Sequence, residues 1–103
     1  MAYKLLVTHE AERDIDNIVQ YIAGELKNRT AAIGFLNDVE EAYLSVVQQP
    51  HMYSYCNDNR LREKEYRKIH LRNYIMVYRV SDNEESIIVL RVFYGRMDYL
   101  KLL

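Results

Sequence analysis

The sequence from Tyr66 to Tyr94, YRKIHLRNYIMVYRVSDNEESIIVLRVFY, decides the fold. It contains three apolar runs rich in β-branched and aromatic residues, a composition typical of strands. Arg72-Asn73 separates the first two runs and is a candidate two-residue turn, because Asn at the second position tolerates a positive φ. The polar residues 81–84 form the second turn. We therefore predict strands over residues 66–71, 74–80 and 87–94, joined as an antiparallel meander.

The preceding half of the chain predicts one strand and two helices. Residues 3–7 form a short apolar run that ends at Thr8, a residue that can cap a helix. Apolar side chains then recur at helical spacing from Ala11 to Leu26 and again before Pro50. Either Asn28 or Thr30 can cap the second helix, whose apolar stripe is Ala32, Phe35, Leu36, Val39, Tyr43, Val46 and Val47. The short connection between the two helices favours an antiparallel hairpin.

This order of elements, β-α-α-β-β-β, predicts an α+β fold. A helical hairpin should pack on one face of a small, mainly antiparallel four-stranded sheet. Because residues two apart on a strand share a face, Lys68 and His70 should lie together on the face opposite to the helices. We expect that face to be cationic and accessible, and residues 48–60 to be irregular. The 103 residues suit a single domain spanning residues 1–103.

Several classes of protein are excluded by composition. The lone cysteine, Cys56, is incompatible with an intramolecular disulfide framework and with a Cys-rich zinc site. The 3 histidines fall in different predicted elements and suggest no metal cluster, so we expect neither metal nor cofactor. No apolar run approaches the roughly 20 residues of a membrane span. The N-terminus lacks the apolar run of a signal peptide, so we expect a cytoplasmic location without a membrane partner.

Charge is distributed unevenly although the net charge is -1. Residues 1–59 carry nine acidic and four basic side chains, whereas residues 60–103 carry ten basic and six acidic. Seven of the ten tyrosines lie between Tyr53 and Tyr99. A basic, tyrosine-rich surface suits an anionic partner, either nucleic acid or an acidic protein segment. Charge alone favours the simpler interpretation that these arginines form the solvated edge of the sheet. The acidic residues of the first helix are a separate group. We expect the carboxylates of Glu10, Glu12, Asp14 and Asp16 to form a solvated helix face.

Candidate residues for chemistry are concentrated in the C-terminal half. Arginine and lysine can hold phosphate oxygens and stabilise the charge that develops during phosphodiester cleavage. A histidine, or a lysine with a lowered pKa, can move the proton. The same side chains can equally pack their stems on the sheet and contact water. These candidate residues are Tyr66, Arg67, Lys68, His70, Arg72, Arg79, Arg91, Tyr94 and Arg96.

Five segments, taken in order, resemble the RelE/ParE toxin superfamily. They are Ala11-Glu12-Arg13-Asp14-Ile15, Tyr66-Arg67-Lys68, Asn73-Tyr74-Ile75, Tyr78-Arg79-Val80 and Arg91-Val92-Phe93-Tyr94-Gly95-Arg96-Met97-Asp98-Tyr99. Each segment is a loose motif, but their order and spacing are specific. The resemblance implies a small bacterial toxin with the β-α-α-β-β-β fold. It also implies a cognate antitoxin that binds and neutralises the toxin in a hetero-oligomer.

The resemblance implies one of two activities. RelE-like members cleave mRNA in the ribosomal A site with basic residues and a tyrosine on the open sheet face. ParE-like members poison DNA gyrase and lack this nuclease set. By position, the RelE nuclease residues fall on Lys68, His70 and Arg96. The remaining candidates for contact with a target or a phosphate are Arg67, Arg72, Arg91, Tyr94 and Tyr99.

Two departures from the RelE pattern favour the ParE activity. First, Ile75 occupies a position where RelE has an arginine. Second, the terminal tyrosine of RelE falls near Leu102, where this sequence has no tyrosine. Tyr99 can take its place only if the C-terminal segment is shifted. We therefore predict a toxin that inhibits growth by poisoning gyrase. The alternative is an enzyme, a ribosome-dependent mRNA endonuclease. A third interpretation is a relic that binds only its antitoxin and DNA.

Overall fold

The structure, a computed structural model, describes residues 3–95 and Leu103. Its elements are β1 (Lys4–Val7), α1 (His9–Gln20), α2 (Arg29–Gln48), α3 (Asn59–Glu63), β2 (Tyr66–Leu71), β3 (Tyr74–Ser81) and β4 (Ser86–Tyr94). A π-helical turn, Tyr21–Glu25, continues α1. The predicted α+β order is confirmed. The short helix α3 begins within residues 48–60, which the sequence predicts to be irregular, and extends beyond them.

The four strands form one sheet in the order β1-β4-β3-β2. Strands β2, β3 and β4 are antiparallel neighbours, so the predicted meander is confirmed, and β1 pairs with β4 in parallel. In the first turn the left-handed residue is Arg72, with φ 58°, rather than Asn73 as predicted. In the second turn it is Glu85, with φ 49°.

Local side-chain hydrogen bonds fix where the two long helices begin. The Thr8 hydroxyl accepts a hydrogen bond from the Ala11 amide at 3.1 Å, as its cap position predicts. The Asn28 side chain accepts from the Ala31 amide at 3.0 Å, so Asn28 rather than Thr30 caps α2. Both caps satisfy amides that have no partner within their own helix.

The main hydrophobic core lies between the two long helices and one face of the sheet. The helices contribute Ala11, Ile15, Phe35, Val39 and Val46, and the strands contribute Ile69, Met76, Tyr78, Ile87, Val89 and Val92. Leu36 was predicted to belong to this core, but it is exposed. The buried stripe of α2 passes through Phe35 and Val39, and Leu36 lies about 100° further around the helix.

Among the residues described, no helix combines the length and the apolarity needed to cross a membrane.

Candidate functional site

The sheet face opposite α1 and α2, here called the second face, carries two of the predicted site residues. The strand register places Lys68 opposite Val77 and His70 opposite Ile75. Directly opposed residues in an antiparallel pair point to the same face. Lys68 and His70 therefore share the second face, as predicted from their spacing.

The middle of the second face is covered, which corrects the expectation of an accessible surface. Residues 54–65, here called the strap, include two fully buried side chains, Cys56 and Leu61. They form a second hydrophobic cluster with Ile75, Val77 and Phe93 of the sheet. Because these three sheet residues are apolar, leaving them in water would be unfavourable. The strap covers these three side chains and removes them from water.

Hydrogen bonds attach the strap to the edge of β2. The Cys56 amide donates to the Tyr66 carbonyl at 2.8 Å, and the Lys68 amide donates to the Ser54 carbonyl at 3.1 Å. Asp58 caps α3 by accepting from the amides of Arg60 and Leu61 at 3.0 and 3.3 Å. The strap is thus a continuation of the sheet edge followed by a capped helical turn.

Arg67 lies on the other side of β2, opposite Tyr78, and its guanidinium is held by partners within the chain. It donates to the Tyr53 carbonyl at 2.6 Å and to the Tyr55 hydroxyl at 3.0 Å. It also lies 4.1 Å from the centroid of the Tyr55 ring, within cation–π distance. These contacts give Arg67 a structural role, since they join the segment after α2 to the sheet.

Arg91 was predicted to contact a target or a phosphate, but it forms a bidentate ion pair with Asp14. The Arg91 Nε and Nη2 atoms lie 2.7 and 3.0 Å from the Asp14 carboxylate, which also accepts from the Val92 amide at 3.0 Å. The side chains are only 23% and 14% exposed, so the expectation that Asp14 belongs to a solvated helix face is wrong. The hydrogen bond to Asp14 raises the pKa of Arg91.

A break in the strand register lies next to Arg91. Val77 pairs with Arg91 whereas the next residue, Tyr78, pairs with Val89, so Leu90 is an extra residue in β4. An extra residue of this kind changes the direction of the side chains that follow it. Arg72 is also engaged in an ion pair, with its Nε 2.8 Å from the Asp38 carboxylate on α2.

Two of the predicted candidates lie near the end of the meander that carries Asn73 and Gly95, whereas Arg79, which is also exposed, lies opposite Tyr66 at the other end of β2 and β3. His70 and Tyr94 are exposed, and Lys68 is half-buried. His70, Ile75, Tyr94 and Gly95 help to line a hollow of about 210 Å³. The Gly95 amide donates to the Asn73 carbonyl at 2.8 Å, and a Cβ at this position would lie 3.1 Å from that oxygen. Glycine therefore permits the close approach that shapes the hollow.

Two predicted site residues, Arg96 and Tyr99, lie outside the described residues. Among those described, no group of three or more His, Cys, Asp or Glu side chains is arranged to hold a metal ion. The site is therefore characterised by Lys68, His70 and Tyr94 around a covered apolar centre.

Burial raises the pKa of the Cys56 thiol, and the positive charge of Lys68 opposes this shift. The reactive form of cysteine is the thiolate, so a raised pKa and a buried position both slow alkylation. We expect Cys56 in the folded protein to react with iodoacetamide more slowly than a free thiol at the same pH, and more quickly as the pH rises. The reaction should reach the free-thiol rate in denaturant. Equal rates in the folded and unfolded protein would show that the strap does not protect this side chain.

Sequence comparison identifies the family of the chain. Residues 5–99 match the family model described as ParE toxin of the type II toxin–antitoxin system, parDE. The chain belongs to the ParE toxin family. Comparison of this ParE-family chain with curated proteins gives no match.

Structural comparison gives similar folds among proteins named as ParDE, RelE and RelBE. Similar structures include the chromosomal ParDE system of P. aeruginosa, with TM-score 0.71, 19% identity and coverage of 90% of this chain and 96% of that chain. A mutant of E. coli RelE in the free state gives TM-score 0.68 at 18% identity, over 99% of this chain and 93% of that chain. The RelBE2 toxin–antitoxin complex of Mycobacterium tuberculosis gives TM-score 0.63 at 19% identity, over 91% and 92%. These similarities establish the RelE/ParE fold of this ParE-family chain.

Proposed function

We propose that this ParE-family toxin inhibits growth by poisoning DNA gyrase and that a cognate antitoxin neutralises it. The observation that carries the proposal is the environment of Ile75. This position, where the resemblance to RelE implies an arginine, is buried in the apolar cluster with Cys56, Leu61 and Phe93. Ile75 therefore brings an apolar side chain, and no positive charge, to the hollow that it lines beside His70 and Tyr94.

The contacts of the arginines also support a function without phosphodiester cleavage. Arg67, Arg72 and Arg91 each bind groups within the chain, and two of them have a carboxylate as partner. Binding a substrate phosphate with any of them would require these internal contacts to break. A protein interface with gyrase does not require these internal contacts of the arginines to break.

A supercoiling assay with purified toxin and gyrase tests the proposal. We expect the toxin to inhibit supercoiling and to cause accumulation of cleaved DNA after detergent treatment, because a poison stabilises the cleaved state. Relaxation of the same plasmid by a type I topoisomerase should be unaffected and serves as the control. Unchanged gyrase activity at saturating toxin would contradict the proposal.

A second candidate, ribosome-dependent mRNA cleavage, is favoured by one arrangement. Lys68 and His70 share the second face, and His70 lines the hollow beside Tyr94 and Gly95. In this alternative Lys68, His70 and Arg96 would hold the phosphate, and His70 or Lys68 would move the proton. The double substitution Lys68→Ala and His70→Ala should then abolish both mRNA cleavage in translating ribosomes and toxicity. Intact mRNA with the unmodified toxin would eliminate this candidate.

A further inference from the structure

A cavity of about 650 Å³ lies between α1 and the ends of β3 and β4. Its lining includes Ile18 of α1 and Val92 of β4, which also pack in the main core, so the cavity lies on the helix side of the sheet. It shares only Asn73, Tyr74 and Tyr94 with the smaller hollow beside His70. Its volume is within the range of about 300–1,000 Å³ that is typical of sites for small organic ligands.

Three tyrosines, Tyr21, Tyr74 and Tyr94, line this cavity. Tyr21 and Tyr94 are 52% and 41% exposed. The Tyr74 ring lies edge-to-face against Phe35 and against Tyr94, with 5.0 and 5.8 Å between ring centroids. These contacts hold the Tyr74 ring in place before any ligand binds, which lowers the entropic cost of binding. Walls made of aromatic rings favour a planar ligand, because a planar ring can stack on them.

The π-helical turn after α1 contributes two of the exposed side chains in the lining. The Leu26 amide donates to the Tyr21 carbonyl at 3.1 Å, and both residues line the cavity. Leu26 is 56% exposed, so two large apolar side chains meet water at the same place. Turns of this kind are rare and occur frequently at functional sites. The position of the π-helical turn therefore supports a binding site here.

The polar groups of the lining are amides rather than free charges. Asn17 of α1 and Asn73 both line the cavity, and neither side-chain amide has a hydrogen-bond partner among the described residues. Arg91 is the one basic residue among the described residues of the lining, and Asp14 holds its guanidinium by two hydrogen bonds. A phosphate group could bind Arg91 only by breaking that pair. The lining thus suits a ligand without a negative charge.

We infer that this cavity binds an uncharged purine nucleoside. A side-chain amide presents a donor and an acceptor next to each other, which matches the N6 and N7 atoms of an adenine ring. The purine ring lies against the tyrosines, and its hydrogen-bonding edge faces Asn17 and Asn73. A nucleotide or a nucleic acid strand is a poorer ligand, because its phosphate meets no unpaired cation in the lining. The inference does not depend on gyrase as the target.

Three related ligands test the inference by calorimetric titration of the full-length protein. Adenosine should bind at a single site. Purine riboside, which lacks the exocyclic amine, should bind about tenfold more weakly, because an amide oxygen loses its donor. Adenosine monophosphate should also bind about tenfold more weakly. Adenosine should shift the methyl NMR signals of Ile18, Leu26 and Val92, which line the cavity.

Matched variants show whether binding uses the tyrosines and the amides. Tyr94→Ala should weaken binding of adenosine about tenfold or more, since one stacking surface is lost. The double substitution Asn17→Ala and Asn73→Ala should abolish the preference for adenosine over purine riboside, a change that loss of stability alone does not produce. Leu44→Ala, which changes an exposed leucine on α2, should leave binding unchanged. Thermal unfolding shows that each variant is folded.

Four results would overturn the inference. The first is that adenosine does not bind to the folded protein, and the second is that its NMR shifts are confined to another surface. The third is an unchanged preference for adenosine in the double asparagine variant, because the amides would then not contact the ring. The fourth is binding of adenosine monophosphate as tight as that of adenosine or tighter, which would identify a site for phosphorylated ligands instead.

Discussion

Replacing Asp14 with alanine is expected to lower the free energy of unfolding by about 3 kcal/mol. The substitution leaves the Arg91 guanidinium largely buried without its carboxylate partner and deprives the Val92 amide of its acceptor. Uncompensated buried charges and buried amides without a partner are among the largest sources of destabilisation by a single substitution. Urea unfolding followed by circular dichroism measures this effect directly.

Asp38→Ala is the matched control, because Asp38 also pairs with an arginine. Its partner, Arg72, is 71% exposed and can return to water when the carboxylate is removed. We expect this substitution to cost less than about 1 kcal/mol. Equal losses of stability in the two variants would contradict the conclusion that Asp14 and Arg91 attach α1 to β4.

Leu61→Ala is expected to lower the free energy of unfolding by about 2–4 kcal/mol. Leu61 is fully buried in the cluster that the strap forms over Ile75, Val77 and Phe93. Truncating its side chain removes apolar contacts and leaves a cavity beneath the strap. The same variant should make Cys56 react faster with iodoacetamide, because Cys56 belongs to the same cluster.

Leu44→Ala provides the control for size and residue type. Leu44 is exposed on α2, so its truncation should change stability by less than about 0.5 kcal/mol. If Leu61→Ala had an equally small effect and left the rate of Cys56 alkylation unchanged, the strap would not be the cover of the second face.

The strands and long helices could be predicted because their signals are local. Apolar periodicity identifies α1 and α2, and the hydrogen bond from Ala11 to Thr8 is formed by residues three apart. The shared face of Lys68 and His70 follows from the two-residue period of a strand. These features do not depend on contacts with distant segments of the chain.

Local patterns could not predict which segment covers the second face, because the strap is distant in sequence from the sheet residues that it covers, such as Phe93. One signal was nevertheless present in the run Ile75-Met76-Val77-Tyr78, which is apolar at successive positions. A strand with one face in water usually alternates apolar and polar residues, whereas a strand buried on both faces is apolar throughout. This run therefore indicated a covered second face, and the structure buries all four side chains.

The sequence did not show which arginines have partners within the chain. Their number indicated a basic surface, but the availability of a charge depends on its partners. Arg91, beside the extra residue Leu90, pairs with Asp14, and Arg72, in the turn between β2 and β3, pairs with Asp38. Neither pairing follows from composition, because both join residues far apart in the chain. The candidate site is consequently smaller than the basic content of the C-terminal half suggests.

Pulse labelling after induction of the toxin tests the central functional claim most directly. Cells lacking an antitoxin are given labelled thymidine or labelled methionine at successive times after induction. A toxin that poisons gyrase should stop incorporation of thymidine first, with protein synthesis declining later. If methionine incorporation stopped first while DNA synthesis continued, mRNA would be the target and the proposal of gyrase poisoning would be wrong.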